Sequence, residues 1–244
     1  MTLGGNTMLI TGGASGIGLA LARRFLQAGS RVIVCGRRRE KLDEAARACP
    51  GLVTQVADIA SETDRVALWD WATREFPDLN VLVNNAGIQR YPTLGETDWA
   101  SMREEIITNF DAAVHLISLV IPHLRQRPAA AIMNVTSGLA FVHMARAPIY
   151  SATKAALHSL TLTLRHQLSD TSIQVIEIIP PAVDTDLGGP GLHTFGVNVD
   201  EFADTVVARI GQGELEIAHG FALQASQASR AELDAMAARI NKGH

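Results

Sequence analysis

Thr11-Gly12-Gly13-Ala14-Ser15-Gly16-Ile17-Gly18 follows directly on a short apolar run, Thr7–Thr11, and opens a stretch of helical periodicity, Gly16–Ala28. Glycines at such a junction let the chain turn tightly and approach a pyrophosphate. The new helix offers unpaired N–H groups and the positive end of its dipole. The spacing Gly12-x-x-x-Gly16-x-Gly18 departs from the usual Gly-x-Gly-x-x-Gly fingerprint, and a tight strand-to-helix turn that holds no ligand is the competing reading.

Outward from this turn, strand and helix patterns alternate along the chain, which predicts a parallel sheet with helices on both faces. Strands are expected at Thr7–Thr11, Arg31–Cys35, Leu52–Val56, Val81–Val83, Ala130–Val135, Gln174–Ile179 and Leu215–Ala218. Helices are expected at Gly16–Ala28, at Arg38–Ala48, from Ser61 to Phe76 with Ser61 and Asp64 as a cap, and from Thr97 or Asp98 to about Arg125. Further helices are expected at Ser151–Leu168, Asp200–Ile210 and Ser229–Ile240. The Gly- and Pro-rich stretch Asp184–Asn198 reads as a loop. With no internal repeat or linker, the 244 residues are read as one domain, 1–244, with a substrate loop near 185–199.

Composition narrows the function classes. Hydrophobic residues make up 47% and charged residues 19%, ordinary for a globular chain, so global disorder is not expected. A net charge of −4 with scattered Lys and Arg lacks the basic stripe that phosphate neutralisation needs, so no nucleic-acid partner is expected. No apolar run reaches the roughly 18 residues of a membrane helix, and the first apolar run reads as a strand and not as a signal peptide. The two cysteines, Cys35 and Cys49, form no framework or metal motif and suit a reducing cytoplasm. The eight histidines show no metal-binding arrangement, and no metal site is expected.

At the end of the second strand, where an NAD-binding chain usually places a carboxylate for the adenosine ribose, stands Gly36, followed by Arg37-Arg38-Arg39. A carboxylate would repel a 2′-phosphate, whereas an arginine fork pairs with it. NADP(H) is therefore expected over NAD(H), with Arg37 as the ligand. Arg38 and Arg39 read equally well as the solvated start of a helix. Downstream, Tyr150 and Lys154 stand four apart at a helix start and share one face. A free phenol titrates near 10, and a nearby ammonium favours its phenolate, so such a pair suits general acid/base work. A helix-surface pair with no chemistry is the alternative for Tyr-x-x-x-Lys alone; Ser137, just after the fifth strand, favours the chemical reading.

Taken together, Thr11–Gly18, Asp58, Asn84-Asn85-Ala86-Gly87, Asn109, Ser137 and Tyr150-Ser151-Ala152-Thr153-Lys154 resemble the motifs of the short-chain dehydrogenase/reductase family, in order and over nearly the whole chain. The resemblance implies a Rossmann-type doubly wound sheet of about seven strands and carbonyl–alcohol interconversion by hydride transfer. It implies that Tyr150 is the acid/base, that Ser137 orients the substrate oxygen, and that Lys154 binds the nicotinamide ribose and lowers the Tyr150 pKa. Asn109 would organise a proton relay. Gly12, Ser15, Gly16, Ile17, Gly18, Asp58, Ile59, Asn85, Ala86 and Gly87 would line the nucleotide, with Pro180, Val183 and Thr185 at its nicotinamide end. Pro181 stands where the family has glycine and is expected to narrow the substrate mouth. Leu139, Phe141, His143 and Met144, with Gln89–Tyr91 and the loop from Leu187, are the expected substrate wall, mostly apolar. Arg90 and Arg146 are candidate partners for an anionic substrate. A homodimer or homotetramer is expected through the long helix near Asn109 and the helix after Tyr150, where Ala155, Ala156, Leu160 and Leu164 stand. The alternatives are a regulator that senses the nucleotide without turnover and a nucleotide-using epimerase or dehydratase. The presence of Ser137, Tyr150, Lys154 and Asn109 together counts against the regulator.

Overall fold

The computed structural model describes residues 2–242. The chain alternates strictly at first: β1 (Thr7–Thr11), α1 (Gly16–Gln27), β2 (Arg31–Gly36), α2 (Arg39–Ala48), β3 (Val53–Val56), α3 (Glu62–Glu75) and β4 (Val81–Asn84). Two helices, α4 (Trp99–Ile106) and α5 (Ala112–Leu124), then precede β5 (Ala130–Val135). They are followed by α6 (Pro148–Gln167), β6 (Ile173–Ile179), α7 (Val199–Gly211), β7 (Glu216–Ala218), α8 (Phe221–Gln227) and α9 (Arg230–Ile240). The seven strands form one sheet in the order β3-β2-β1-β4-β5-β6-β7, and every pairing is parallel. The order reverses between β1 and β4, and a crevice opens there at the carboxyl ends of the strands.

Both faces of the sheet are covered, which is why the strands read as continuous apolar runs. Within β1, Met8 and Ile10 face the side that carries α1, α2 and α7, while Leu9 faces the side of α3 and α5. β2 divides the same way: Val32 and Val34 on one face, Ile33 and Cys35 on the other. Trp99–Leu124 is long and apolar enough to cross a membrane by length and composition. Its Ala112, Leu116, Val120 and Leu124 are nevertheless fully buried in the second core, as in the central helix of a layered α/β fold.

Caps set several boundaries where the residues predict them. Ser61 accepts the Asp64 N–H at 3.2 Å, Asp98 accepts from Ser101, and Ser229 with Glu232 forms a reciprocal capping box. Gly29 ends α1 with φ at 88°. Three features depart from expectation. The long helix is interrupted at Ile107–Asp111 by a π-turn, a device that re-aims side chains. The seven-residue α8 has no capping side chain and starts from Gly220 at φ 54°; it forms because Ala222 and Ala225 bury against the segment after β5, which local pattern cannot show. The helix carrying Tyr150 also begins three residues earlier than periodicity suggests, with Pro148 in its first turn.

Among the strands at the crevice, polar residues tie the sheet to α6. Asn84 donates to Asn134 Oδ1 at 2.9 Å, and Asn134 donates to Thr161 Oγ1 at 2.9 Å, all buried. Asn134→Ala should leave the Asn84 amide without its acceptor and cost about 1–3 kcal/mol. Equilibrium urea unfolding measures this; a change near zero would show that the ladder contributes nothing.

Candidate active site

The glycine turn is built by close approach to the end of β4. Thr11 Oγ1 accepts the N–H groups of Asn85 at 3.0 Å and Ala86 at 3.1 Å, and Asn85 Nδ2 donates back to the carbonyls of Thr11 and Gly12. A Cβ at Gly12 would stand 2.7 Å from Ala86 Cα, and one at Gly18 would stand 2.4 Å from Asn85 Nδ2, so neither position admits a side chain. Gly16 has φ at 54°, the left-handed region that favours glycine. Ser15 begins α1 without a capping hydrogen bond, and no acidic residue follows in the first turn. The helices α3, α4, α7 and α9 all receive side-chain caps. The α1 terminus therefore keeps its amides and positive dipole end for an outside anion. Thr185 leans over it, its methyl 3.4 Å from where a Gly16 Cβ would lie. These residues fit the pyrophosphate of a dinucleotide.

Arg37 and Asp58 stand side by side at the ends of β2 and β3. Asp58 accepts the Ala60 N–H at 2.9 Å, while Ile59 turns its side chain into the core. Pro180 gives its carbonyl to the Gly138 N–H, which joins the ends of β5 and β6. Val183 pairs with Val197 in a short parallel bridge, so the loop between them is pinched closed at its base, with Pro181 just before the pinch.

The Tyr–Lys pair meets Ser137 across the carboxyl end of β5. The Ser137 hydroxyl, which accepts the Leu139 N–H at 3.1 Å, favours the ionised form of the Tyr150 phenol, and Lys154 Nζ lies 5.5 Å from the Tyr150 ring centroid. Burial pushes the Tyr150 phenol well above its ordinary range; Ser137 opposes this and the Glu105 charge adds to it. The resemblance assigns Lys154 the lowering of that pKa. Here the net displacement is upward, because burial of the phenol outweighs the lowering by Ser137. Burial also brings the Lys154 ammonium down to about 8. Among the described residues its one hydrogen bond runs to the Val135 carbonyl at 2.8 Å, leaving two donors for a ligand. Gly87 is beside it: a Cβ there would be 3.6 Å from Lys154 Nζ. Asn109 sits in the π-turn, exchanges two 2.8 Å bonds with Ile88 and donates to Thr153 Oγ1, which donates to the Tyr150 carbonyl.

The expected substrate wall is brought together only in part. Leu139 and Met144 are half-buried, whereas His143 is exposed and holds Asn241 through its carbonyl. Phe141 turns away to pack on His158, with ring centroids 4.6 Å apart, and under α8. Arg146 stacks over the Tyr91 ring at 4.4 Å, and Tyr91 in turn meets Gly188 of the loop. Arg90 points the other way, and its guanidinium is paired with Glu104 and the Ser101 carbonyl. Two residues escaped the sequence reading. Glu177, fully buried, holds Thr136 at 2.7 Å and His158 at 2.9 Å, fixing the residue before Ser137. Glu105 is also fully buried; its Oε1 accepts the Arg90 N–H and its Oε2 has no partner. Its signal was present in the sequence: it lies four residues before Asn109, one helical turn away.

The residues 6–192 match the family description "short chain dehydrogenase". The chain is a short-chain dehydrogenase/reductase. It is 45% identical to "Uncharacterized oxidoreductase DltE" of Bacillus subtilis (strain 168), over 99% of this chain and 98% of that protein. Among solved structures, a short chain dehydrogenase from Burkholderia cenocepacia in complex with NADP superposes with a TM-score of 0.85 at 28% identity, over 98% and 99% of the two chains. A 3-ketoacyl-(acyl-carrier-protein) reductase from Brucella melitensis complexed with NADH superposes with a TM-score of 0.80 at 25% identity, over 88% and 97%. This oxidoreductase family thus accommodates both dinucleotides on the same sheet.

Burial of Glu105 raises its carboxyl to about 7 from an ordinary 4.5. An acid whose folded pKa is raised loses folding stability as pH climbs from the unfolded value through the folded one, here from about 4.5 to about 7. Glu105→Gln keeps the acceptor for Arg90 and removes the ionisation. Its melting temperature should exceed the parent's at pH 8, with the gap shrinking as pH falls to 5. A pH-independent gap would contradict the buried-acid assignment.

Proposed function

We propose that the protein is an NADP(H)-dependent oxidoreductase that interconverts a carbonyl and an alcohol, with Tyr150 as general acid/base. The observation that carries this reading is the placement of Lys154 Nζ 5.5 Å from the Tyr150 ring at the carboxyl end of β5, where Ser137 also stands, facing the same crevice as the uncapped α1 terminus. The bound nucleotide supplies or accepts hydride; positioning and proton supply fall to the protein. The amides of Ser15–Gly18 hold the pyrophosphate, and the two spare donors of Lys154 hold ribose hydroxyls. Ser137 orients the substrate oxygen against Tyr150. The buried phenol is protonated at neutral pH, the form that gives a proton to a carbonyl oxygen, and the Lys154 ammonium 5.5 Å from its ring centroid favours the phenolate left behind. Asn109, fixed through Ile88 and Thr153, holds the π-turn next to Lys154, where a proton relay to solvent would start.

Arg37 supports NADP(H) over NAD(H), because it directly follows Gly36 at the end of β2, where an acid would otherwise bind the ribose. Leu139 and Met144 support a substrate with a hydrophobic body, as do the exposed Leu192 and Phe195 of the loop. We place the protein in the cytoplasm, consistent with two buried free thiols, Cys35 and Cys49. We also assign it a homodimer or homotetramer, supported by the exposed Trp99 on α4; Leu164, by contrast, belongs to the core. Sedimentation as a 26.1 kDa species alone would refute that assignment.

Tyr150→Phe should lower turnover about 10²–10⁴-fold on a reducible ketone, aldehyde or quinone, while NADPH affinity stays near the parent's. Turnover retained in Tyr150→Phe would overturn the assigned role.

A further inference from the structure

Arg37 already has a partner. Its Nη1 lies 3.2 Å from Glu104 Oε1 and 3.9 Å from Asp58 Oδ2. Glu104, on α4, divides its carboxylate: Oε1 faces Arg37, and Oε2 lies 2.5 Å from Arg90 Nη2. Arg90 is anchored independently by the Ser101 carbonyl and by its own N–H to Glu105. The two arginines, Arg90 foremost, hold the Glu104 carboxyl below its usual range, so it is ionised at neutral pH. Arg37 thus spans from the end of β2 to α4, with an acid on each side.

Charge and exposure decide what a ligand meets here. The Arg37 and Glu104 side chains are 52% and 37% exposed, so their pairing is solvent-screened and readily exchanged. If Arg37 turns to an incoming phosphate, Glu104 keeps Arg90 and no carboxylate is stranded. An unphosphorylated ribose offers Arg37 no anion, and the pair stays closed.

We propose that Glu104 is a specificity-determining residue for the nucleotide: it competes with the 2′-phosphate for Arg37 and so sets the margin by which NADP(H) is preferred over NAD(H). This rests on the assignment of Arg37 as the 2′-phosphate ligand. Glu104 touches neither nucleotide nor substrate; it acts through Arg37.

Calorimetric titration with NADPH and with NADH, of the parent, Glu104→Gln, Arg37→Ala and the double variant, tests this without any substrate. Glu104→Gln removes the charge at a partly exposed position, and Glu104→Ala serves as a second variant that should behave alike. Both should tighten the NADPH Kd roughly three- to fivefold, the scale of one screened ion pair, and change the NADH Kd less than about twofold. Added to Arg37→Ala, the substitution should give no NADPH-specific gain, because the contested partner is gone. Equal tightening for both nucleotides, no tightening, or a gain that persists without Arg37 would overturn the competition. If the parent prefers NADPH and loses that preference on Arg37→Ala while Glu104→Gln changes nothing, only the role of Glu104 fails. If Arg37→Ala weakens both nucleotides equally or neither, the Arg37 assignment fails with it.

Discussion

The site depends on the hydrogen bonds that Thr11 and the Asn85-Ala86 pair exchange across β1 and β4. One hydroxyl accepts two backbone amides, and one side-chain amide returns two bonds to the turn. These four contacts draw the glycine turn against the end of β4 so closely that Gly12 has no room for a Cβ. From there the connection continues without a break: Ile88 to Asn109, Asn109 to Thr153, Thr153 to the Tyr150 carbonyl. The uncapped end of α1 and the phenol on α6 are thus held in one frame. Each link uses polar groups that burial would otherwise leave costly, so the frame is rigid for the same reason that it is stable.

Burial governs the chemistry inside that frame. The phenol, the ammonium and the carboxyl of Glu105 all sit in low-dielectric surroundings, and each shifts toward its neutral form. A carboxylate at Glu105 would oppose a phenolate at Tyr150, so protonation of Glu105 removes a repulsion at the proton-transfer group. Outside the frame, at the end of β2, the charges of Arg37, Asp58 and Glu104 are exposed and exchangeable.

The sheet and its order of elements were legible because they rest on local rules, and so was the spacing that brings Tyr150 and Lys154 onto one helix face. Doubly buried strands read as apolar runs, and Gly12-x-x-x-Gly16-x-Gly18 demands a turn. What was illegible depends on contacts distant in sequence. The π-turn at Ile107–Asp111 follows from anchoring Asn109 to Ile88, and α8 forms only on the segment after Ser137. Phe141 had the composition of a pocket residue and instead found His158. Arg90 looked free to meet a substrate because its partner Glu104 comes 14 residues later, on a helix whose docking the sequence does not display.

A crystal structure with NADPH tests most directly whether one frame serves both ends of the site. The pyrophosphate should lie over the amides of Ser15–Gly18, the 2′-phosphate on Arg37, and the nicotinamide ribose on Lys154 with its ring facing the Ser137 and Tyr150 hydroxyls. An ordered nucleotide whose nicotinamide lies away from Tyr150, or whose pyrophosphate bypasses the α1 terminus, would contradict it.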